Sequence, residues 1–403
     1  MQGFGRVGVR RADIELWFGA ASLAALVLVP ILNSPAAFGF LLAGIVVLAL
    51  RPTATLTALL AHRRLLVLPV FCTLSVLWSQ VPALSFRFGL QLTATFVIAI
   101  VLASRLSLRT FLTTIFAVLF AAIAFGIATG TFRSDTGALL GYYASKNAMA
   151  GAASLLALIA IAIAATPGKS RGMRFIAAIG ALVGIAATVL AQSAGALMYL
   201  TVGVGGFFAI IVLRPARPAK RILIGSFALL GIALGGILFS LYADAIAATL
   251  LDFTGKDMTL TGRTDLWRIA LRMIAERPAL GVGYQAFWVQ GSAPAETLWM
   301  MFGIEARSGF NFHNTYISNA VEIGLIGVAI QTAMIFASVL LSARLALRTG
   351  NGGAALLFAI SLMSLAMTPI EVAVFFQFSL PSVLVVATIV YAIDGLRRSP
   401  AQR

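Results

Sequence analysis

An all-α, polytopic integral membrane protein is the fold class that three features of this chain predict. Hydrophobic residues fill 61% of its 403 positions and charged residues only 10%, whereas a soluble domain is nearer half apolar and a quarter charged. Apolar runs approaching the about 17 to 25 residues that cross a bilayer as a helix recur along the whole length. The basic residues also gather in alternate connecting segments, as the positive-inside rule requires. The net charge of +16 therefore reads as membrane topology, with membrane lipids and no nucleic acid as its counterpart. Residues 1–403 read as a single membrane unit without an internal repeat. The only cysteine, Cys72, lies inside an apolar run, so neither an intrachain disulfide nor a cysteine metal site is available.

The N-terminal MQGFGRVGVRRADIE, followed by an apolar run from Leu16, has the look of a signal peptide. Hydrophobic segments continue to the C-terminus, so an uncleaved first span is expected. About twelve spans are expected, near 15–33, 35–50, 65–79, 89–103, 110–129, 147–166, 175–192, 195–213, 222–243, 316–342, 354–372 and 379–395, with two of the shorter ones open to being re-entrant. With both termini cytoplasmic, 20 of the 29 Lys and Arg fall on the cytoplasmic side, from Arg6, Arg10 and Arg11 to Arg397, Arg398 and Arg403. The nine outside are Arg87, Arg133, Lys146, Lys256, Arg263, Arg268, Arg272, Arg277 and Arg307. Five of these crowd between Lys256 and Arg277, and positive charge placed against the rule needs another reason.

The one long hydrophilic segment, 243–315, lies outside the membrane between the ninth and tenth spans. Thr261 or Thr264 suits the cap of a helix over 264–277 that stops before Pro278. Leu266, Ile269, Ala270, Met273 and Ile274 share one face and Arg268 and Arg272 another, so this helix lies on the membrane or roofs the bundle. GVGYQAFW supplies a glycine-rich turn with interfacial aromatics, and Asn314 or Thr315 starts the tenth span.

His313 stands just before that span. Imidazole is the side chain best suited to take a proton near neutral pH, which makes it the natural general base for a sugar hydroxyl. A lone interfacial histidine with no task is an equally ordinary reading. Glu322, early in the following helix, is a candidate to orient the ring, or is simply a helix-start charge. Arg263, Arg268, Arg272 and Arg277 are ordinary as solvated charges on an amphipathic helix, but as a group they suit a diphosphate, whose oxygens guanidinium forks bind in pairs. Arg87 and Lys146 either snorkel to headgroups or mark a functional cavity. Gln192 and Ser193, at the outer end of the seventh span, read slightly better as close helix packing. Glu371, in TPIEVAV, has no legible role. No carboxylate cluster surrounds His313 and no phosphate-binding loop motif occurs, so neither metal nor ATP is expected.

Taken in order, WSxxPxxSxR (Trp78 to Arg87), a KN pair opening a span (Lys146, Asn147), QS at a span end (Gln192, Ser193), GRxxxW (Gly262, Arg263, Trp267), PxxGxG (Pro278, Gly281, Gly283) and HNxYxxxxxExGxxG (His313 to Gly327) resemble the O-antigen ligase and polysaccharide polymerase superfamily. The loop wording, GRTDLW and GVGYQAFW, is most similar to exopolysaccharide polymerases of the succinoglycan type. The resemblance implies a metal-independent, cofactor-free, inverting glycosyltransferase of the bacterial inner membrane with a periplasmic site. Such an enzyme moves a glycan from undecaprenyl diphosphate to an acceptor hydroxyl, alongside other polysaccharide assembly proteins. By position it makes His313 the base and Arg263 a diphosphate ligand, with Arg87 and Lys146 lining the same cavity and Asn314, Glu322, Gln192, Ser193, Trp267 and Arg268 in support. Many members carry a basic residue after the QS serine, where this chain has Ala194. The acceptor divides a polymerase, which extends a lipid-linked repeat unit, from a ligase, which uses lipid A core or a protein. A glycan flippase is the alternative from a different class, although the missing internal repeat and the outward gathering of polar residues speak against it.

Overall fold

A computed structural model describes residues 11–226, 230–231, 234 and 260–398. Most of the expected ninth span at 222–243, residues 243–259 with Lys256, and Arg6, Arg10 and Arg403 lie outside the described residues. The helices with both ends among the described residues are α1 Arg11–Leu32, α2 Ser34–Leu50, α3 Pro52–Ala61, α4 Val67–Leu74, α5 Pro82–Arg105, α6 Leu108–Thr129, α7 Lys146–Ala165, α8 Arg171–Leu190, α9 Ala194–Leu213, α10 Leu260–Glu276, α11 Ala293–Met301, α12 Thr315–Thr349, α13 Gly352–Met367 and α14 Leu380–Arg397. The strands described are a two-stranded antiparallel hairpin, β1 Thr131–Phe132 and β2 Leu139–Gly141, between α6 and α7.

The protein is thus an all-α, multi-pass membrane protein. Among the described residues, eight helices are long and apolar enough to cross a membrane, or nine if α2 and α3, bent by 103° at Arg51, count as one span. Of the expected twelve, most of the ninth lies outside the described residues, and two others are short. The stretch 65–79 resolves into eight-residue α4 between 3-10 turns at Arg63–Leu66 and Ser75–Leu77, and α13 is a shorter apolar helix of 16 residues. Local chemistry sets the helix starts. Ser107, Ser145, Ser170 and Asn351 each accept a backbone N–H of the first turn of α6, α7, α8 and α13, satisfying donors that have no partner within the helix. Proline occupies the first turn of α2, α3, α5, α11 and α14, where its missing N–H costs nothing.

Helix α7 is central, with 67% of its apolar window buried, and α8 is peripheral at 28%. The exposed apolar side chains of α8, among them Phe175, Ile179 and Leu182, suit lipid contact. Arginines concentrate at one end of the bundle. There Glu15 of α1 accepts from both Arg51, at 3.2 Å, and the buried Arg105 of α5, which also donates to Thr55. His62 pairs with Asp394 of α14 at 3.2 Å at the same end. Glu15→Ala would strand Arg105 in a site where its side chain is 8% exposed, at a cost of about 3–5 kcal/mol. The expected result is a clear fall in the melting temperature of the detergent-solubilised protein, and an unchanged melting temperature would show that this network adds nothing to stability.

A smaller cluster caps the opposite end. Leu266 and Ala270 of α10 bury fully against Val282, Phe287, Leu298, Phe312 and Val321, each large apolar side chain contributing about 1.5–3 kcal/mol. The apolar face expected for 264–277 is therefore the buried face of a roof over α12. The helix itself runs from Leu260 to Glu276, so Thr261 and Thr264 lie within it and do not cap it.

Candidate active site

Asn314 caps α12, its side-chain oxygen accepting from the N–H groups of Tyr316 and Ile317 at 2.9 and 3.1 Å, while its Nδ2 donates to the Pro369 carbonyl. Nearly three turns further on the helix breaks at Gly324, with φ 65° and ψ −178°. The loop after α10 docks into that break. Val282 and Gly283 donate to the carbonyls of Val321 and Glu322 at 3.0 and 2.8 Å, and Leu325 donates to Pro278 at 2.8 Å. The glycines of the two motifs thus serve one another. A Cβ on Gly281 would lie 2.6 Å from the Glu322 backbone, and one on Gly324 would lie 2.2 Å from the Ala279 oxygen. The WSxxPxxS segment clamps the loop from the other side, with the Trp78 indole donating to Leu280, Gln80 N–H to Val282 and Ser85 to the Tyr284 carbonyl. Burial pushes the Tyr284 phenol above its ordinary range. It therefore stays protonated and donates towards the Phe375 carbonyl and Gln377, both at 3.1 Å.

His313 sits at the mouth of α12 with φ 49°, a left-handed conformation that costs a non-glycine residue energy and marks a position held by its surroundings. Its N–H donates to Asn311 at 2.7 Å, and its neighbour Phe312 accepts from the Trp267 indole at 2.6 Å. The ring nitrogen Nδ1 faces Glu371 Oε2 at 3.9 Å. That carboxylate is fixed in turn, because Asn147 Nδ2 donates to its other oxygen at 2.8 Å and Ser193 donates to Asn147 at 3.3 Å. Glu371, illegible in the sequence, is the acidic neighbour of the histidine. Glu322, the expected one, instead accepts from the backbone and side chain of Gln285 at 3.0 and 3.4 Å. Nine residues along a helix advance about 13 Å, which carries Glu322 past the ring to the level of the docked loop. The signal for Glu371 was an isolated carboxylate in an apolar run, and such groups within membrane proteins tend to be functional.

The outer cations divide. Arg263 turns inward and donates to the Ile370 carbonyl at 3.3 Å. Arg268 pairs with Asp265 at 2.7 Å on the exposed face, where Arg272 also lies, and Arg277 is exposed just past the helix end. Lys146 Nζ reaches the Gln192 carbonyl at 3.4 Å, while Gln192 Nε2 holds the β1–β2 hairpin through Thr136. Arg263, Lys146, Gln192, Ser193, Asn314 and His313 thus converge on the ends of α7, α9 and α12 around the segment after α13. Arg87 does not join them through a hydrogen bond, its exposed guanidinium lying 5.4 Å from the Phe88 ring.

Phe88 in turn lines a cavity of about 640 Å³ whose wall includes Asn311, two residues before the histidine. Trp288, Phe310 and Phe376 supply further apolar wall, and Gln285, Asn311, Ser318 and Glu322 are among its polar groups. Three consecutive residues join it to the cations: the Ile370 carbonyl accepts from Arg263, Glu371 faces His313 and Val372 lines the cavity. Among the described residues no group of three His, Cys, Asp or Glu side chains is arranged to hold a metal ion.

Residues 179–332 match the family model described as O-antigen ligase, a stretch that contains Gln192, Ser193, Arg263, Trp267 and His313. The chain is also similar to the exopolysaccharide production protein ExoQ of Rhizobium meliloti (strain 1021), at 34% identity over 274 residues. That alignment covers 66% of this chain and 62% of the relative, so less than two thirds of the relative's length is spanned.

Proposed function

This chain belongs to the O-antigen ligase and polysaccharide polymerase superfamily, and from that premise we propose that it is a metal-independent, inverting membrane glycosyltransferase. Its donor is a glycan on undecaprenyl diphosphate, its acceptor a sugar hydroxyl, and its site faces the periplasm. The observation that carries the reading is the convergence of a fixed carboxylate, a partly exposed histidine and two cations, Arg263 and Lys146, at one end of the bundle.

In the proposed step the acceptor hydroxyl attacks the anomeric carbon while the bond from that carbon to the diphosphate oxygen breaks. Attack from the face opposite the leaving group inverts the configuration. The hydroxyl proton passes to the His313 ring nitrogen that is not turned to Glu371. At 3.9 Å Glu371 is too distant for a hydrogen bond, but its charge favours the imidazolium as it forms. Arg263 takes the charge that develops on the departing diphosphate. Lys146, two residues from Ala194 through the Gln192 carbonyl, supplies the cation that relatives place after the QS serine. Arg87 stands at the rim and acts on headgroups or the approach of donor.

Purified protein given undecaprenyl diphosphate-linked repeat units should convert them to longer chains still on the carrier, with a chelator making no difference. Product on lipid A core instead makes the enzyme a ligase, and no transfer to any acceptor removes the reading. Arg263→Ala is expected to lower kcat/KM about ten- to a hundredfold, matching the roughly 1.5–3 kcal/mol of a charged hydrogen bond. Arg263→Lys should recover little of this, because an ammonium lacks the paired donors. Full activity in Arg263→Ala would take the diphosphate role away from it.

A further inference from the structure

A transfer of this kind needs a place for the sugar that bears the attacking hydroxyl, and the cation cluster does not provide one. We infer that the cavity across the His313–Glu371 pair from Arg263 is the subsite for a neutral pyranose at the non-reducing end of the acceptor glycan, with Trp288 as its platform and Ser318 and Glu322 as its hydroxyl partners. The inference rests on the transferase reading, since it is the base at His313 that makes the adjacent sugar the acceptor.

Asn311 lines the cavity and also accepts the His313 N–H at 2.7 Å, which brings the near wall of the cavity within two residues of the base, so the end of a glycan held there reaches towards it. Ile370, Glu371 and Val372 in succession separate the diphosphate side from this side. Trp288 meets Phe287, Phe310 and Phe312 at centroid distances of 4.8, 5.3 and 5.0 Å, which fixes the plane of its ring. A rigid aromatic plane is what the C–H face of a pyranose packs on.

Ser318 and Glu322 lie one turn apart on α12 and are 4% and 3% exposed. Gln285 holds Glu322 through Oε2, leaving Oε1 and the Ser318 hydroxyl without a hydrogen bond from the described residues. Both residues line the cavity, and adjacent hydroxyls on a sugar ring match an i, i+4 pair. Arg307 also lines the cavity, but its guanidinium is tied to Glu296 at 3.3 Å. With that cation paired and no other Lys or Arg in the described lining, the subsite suits a neutral ring.

The test uses full-length protein in detergent, with neutral oligosaccharides from partial hydrolysis of the host strain's own extracellular polysaccharide as the probe. Binding is read by saturation-transfer NMR and, in the transfer assay, by acceptor KM. Trp288→Ala should weaken binding and raise acceptor KM at least about tenfold, and Ser318→Ala about threefold or more, with donor KM unchanged. Ser318→Ala removes a hydroxyl that bonds nothing in the fold, so it stays informative even if Trp288→Ala destabilises the protein. His313→Ala should still bind the oligosaccharide. Unchanged binding in Ser318→Ala and Trp288→Ala, a rise confined to donor KM, or equal binding of polygalacturonate fragments would each overturn the subsite and leave the transferase reading standing. Binding lost on Trp288→Ala in a protein that transfers no glycan would overturn the transferase reading and keep the saccharide site.

Discussion

His313→Ala is expected to reduce glycan transfer by about two to four orders of magnitude, the usual contribution of a positioned general base. The loss should fall on kcat, because the ring is placed to act on a proton in flight and the diphosphate is held elsewhere. The fold should survive. The ring is about one quarter exposed (28%), and its Nδ1 makes no hydrogen bond, so truncation leaves the Glu371 carboxylate still held by Asn147. The backbone at φ 49° favours asparagine among non-glycine residues, so His313→Asn separates the two effects. It should fold at least as well as the alanine variant and remain inactive. Full transfer by either variant removes His313 from the chemistry, while an unfolded His313→Asn would show that the ring is structural.

Gly324→Ala is expected to have the largest effect on stability. The break in α12 has φ 65° and ψ −178°, a region essentially restricted to glycine, and a side chain there costs about 1–3 kcal/mol in strain alone. The added Cβ would also meet backbone, 2.2 Å from the Ala279 oxygen, and backbone cannot swing aside as a flexible side chain can. Relief requires expelling the 278–283 loop, which exposes the Leu325 N–H and the Val321 and Glu322 carbonyls that the loop satisfies. Thermal unfolding in detergent should therefore move down sharply and transfer should fall with it, since Trp288 and Gln285 leave with the loop. Gly205→Ala on α9 is the control. A Cβ there meets nothing within 4 Å, and alanine in place of a helical glycine is neutral or mildly stabilising. A Gly324→Ala protein that melts with the wild type would mean the loop is not docked in the break.

Several features could be read from one dimension because their signal is local. Hydropathy located the crossings that became α1, α5 to α9, α12 and α14, and the capping residues Ser107, Ser145 and Asn314 stand directly before apolar runs. The apolar face of 264–277 was visible as a helical period, and Leu266 and Ala270 are indeed its sealed residues. His313 and Arg263 stood out as polar groups in an apolar chain. The splitting of the arginines was not visible. Arg263 and Arg268 are five residues apart, yet one turns to Ile370, 107 positions away, and the other to Asp265 on the exposed face. Helix geometry fixes their angle to each other but leaves open which face the roof presents to the bundle.

By itself, then, the sequence determined a basic-ended, all-α membrane bundle, an amphipathic outer helix and a histidine at the mouth of a span. Hydrophobic periodicity, caps and charge are properties of neighbouring residues, and the bilayer acts on them directly. Tertiary structure alone decided that Glu371 and not Glu322 faces His313, that Asn147 from 224 positions away fixes that carboxylate, and that two glycine motifs interlock at Gly324. Those pairings depend on how α7, α12 and the segment after α13 pack together, and close packing is settled by shape complementarity across the bundle, which no local pattern along the chain encodes.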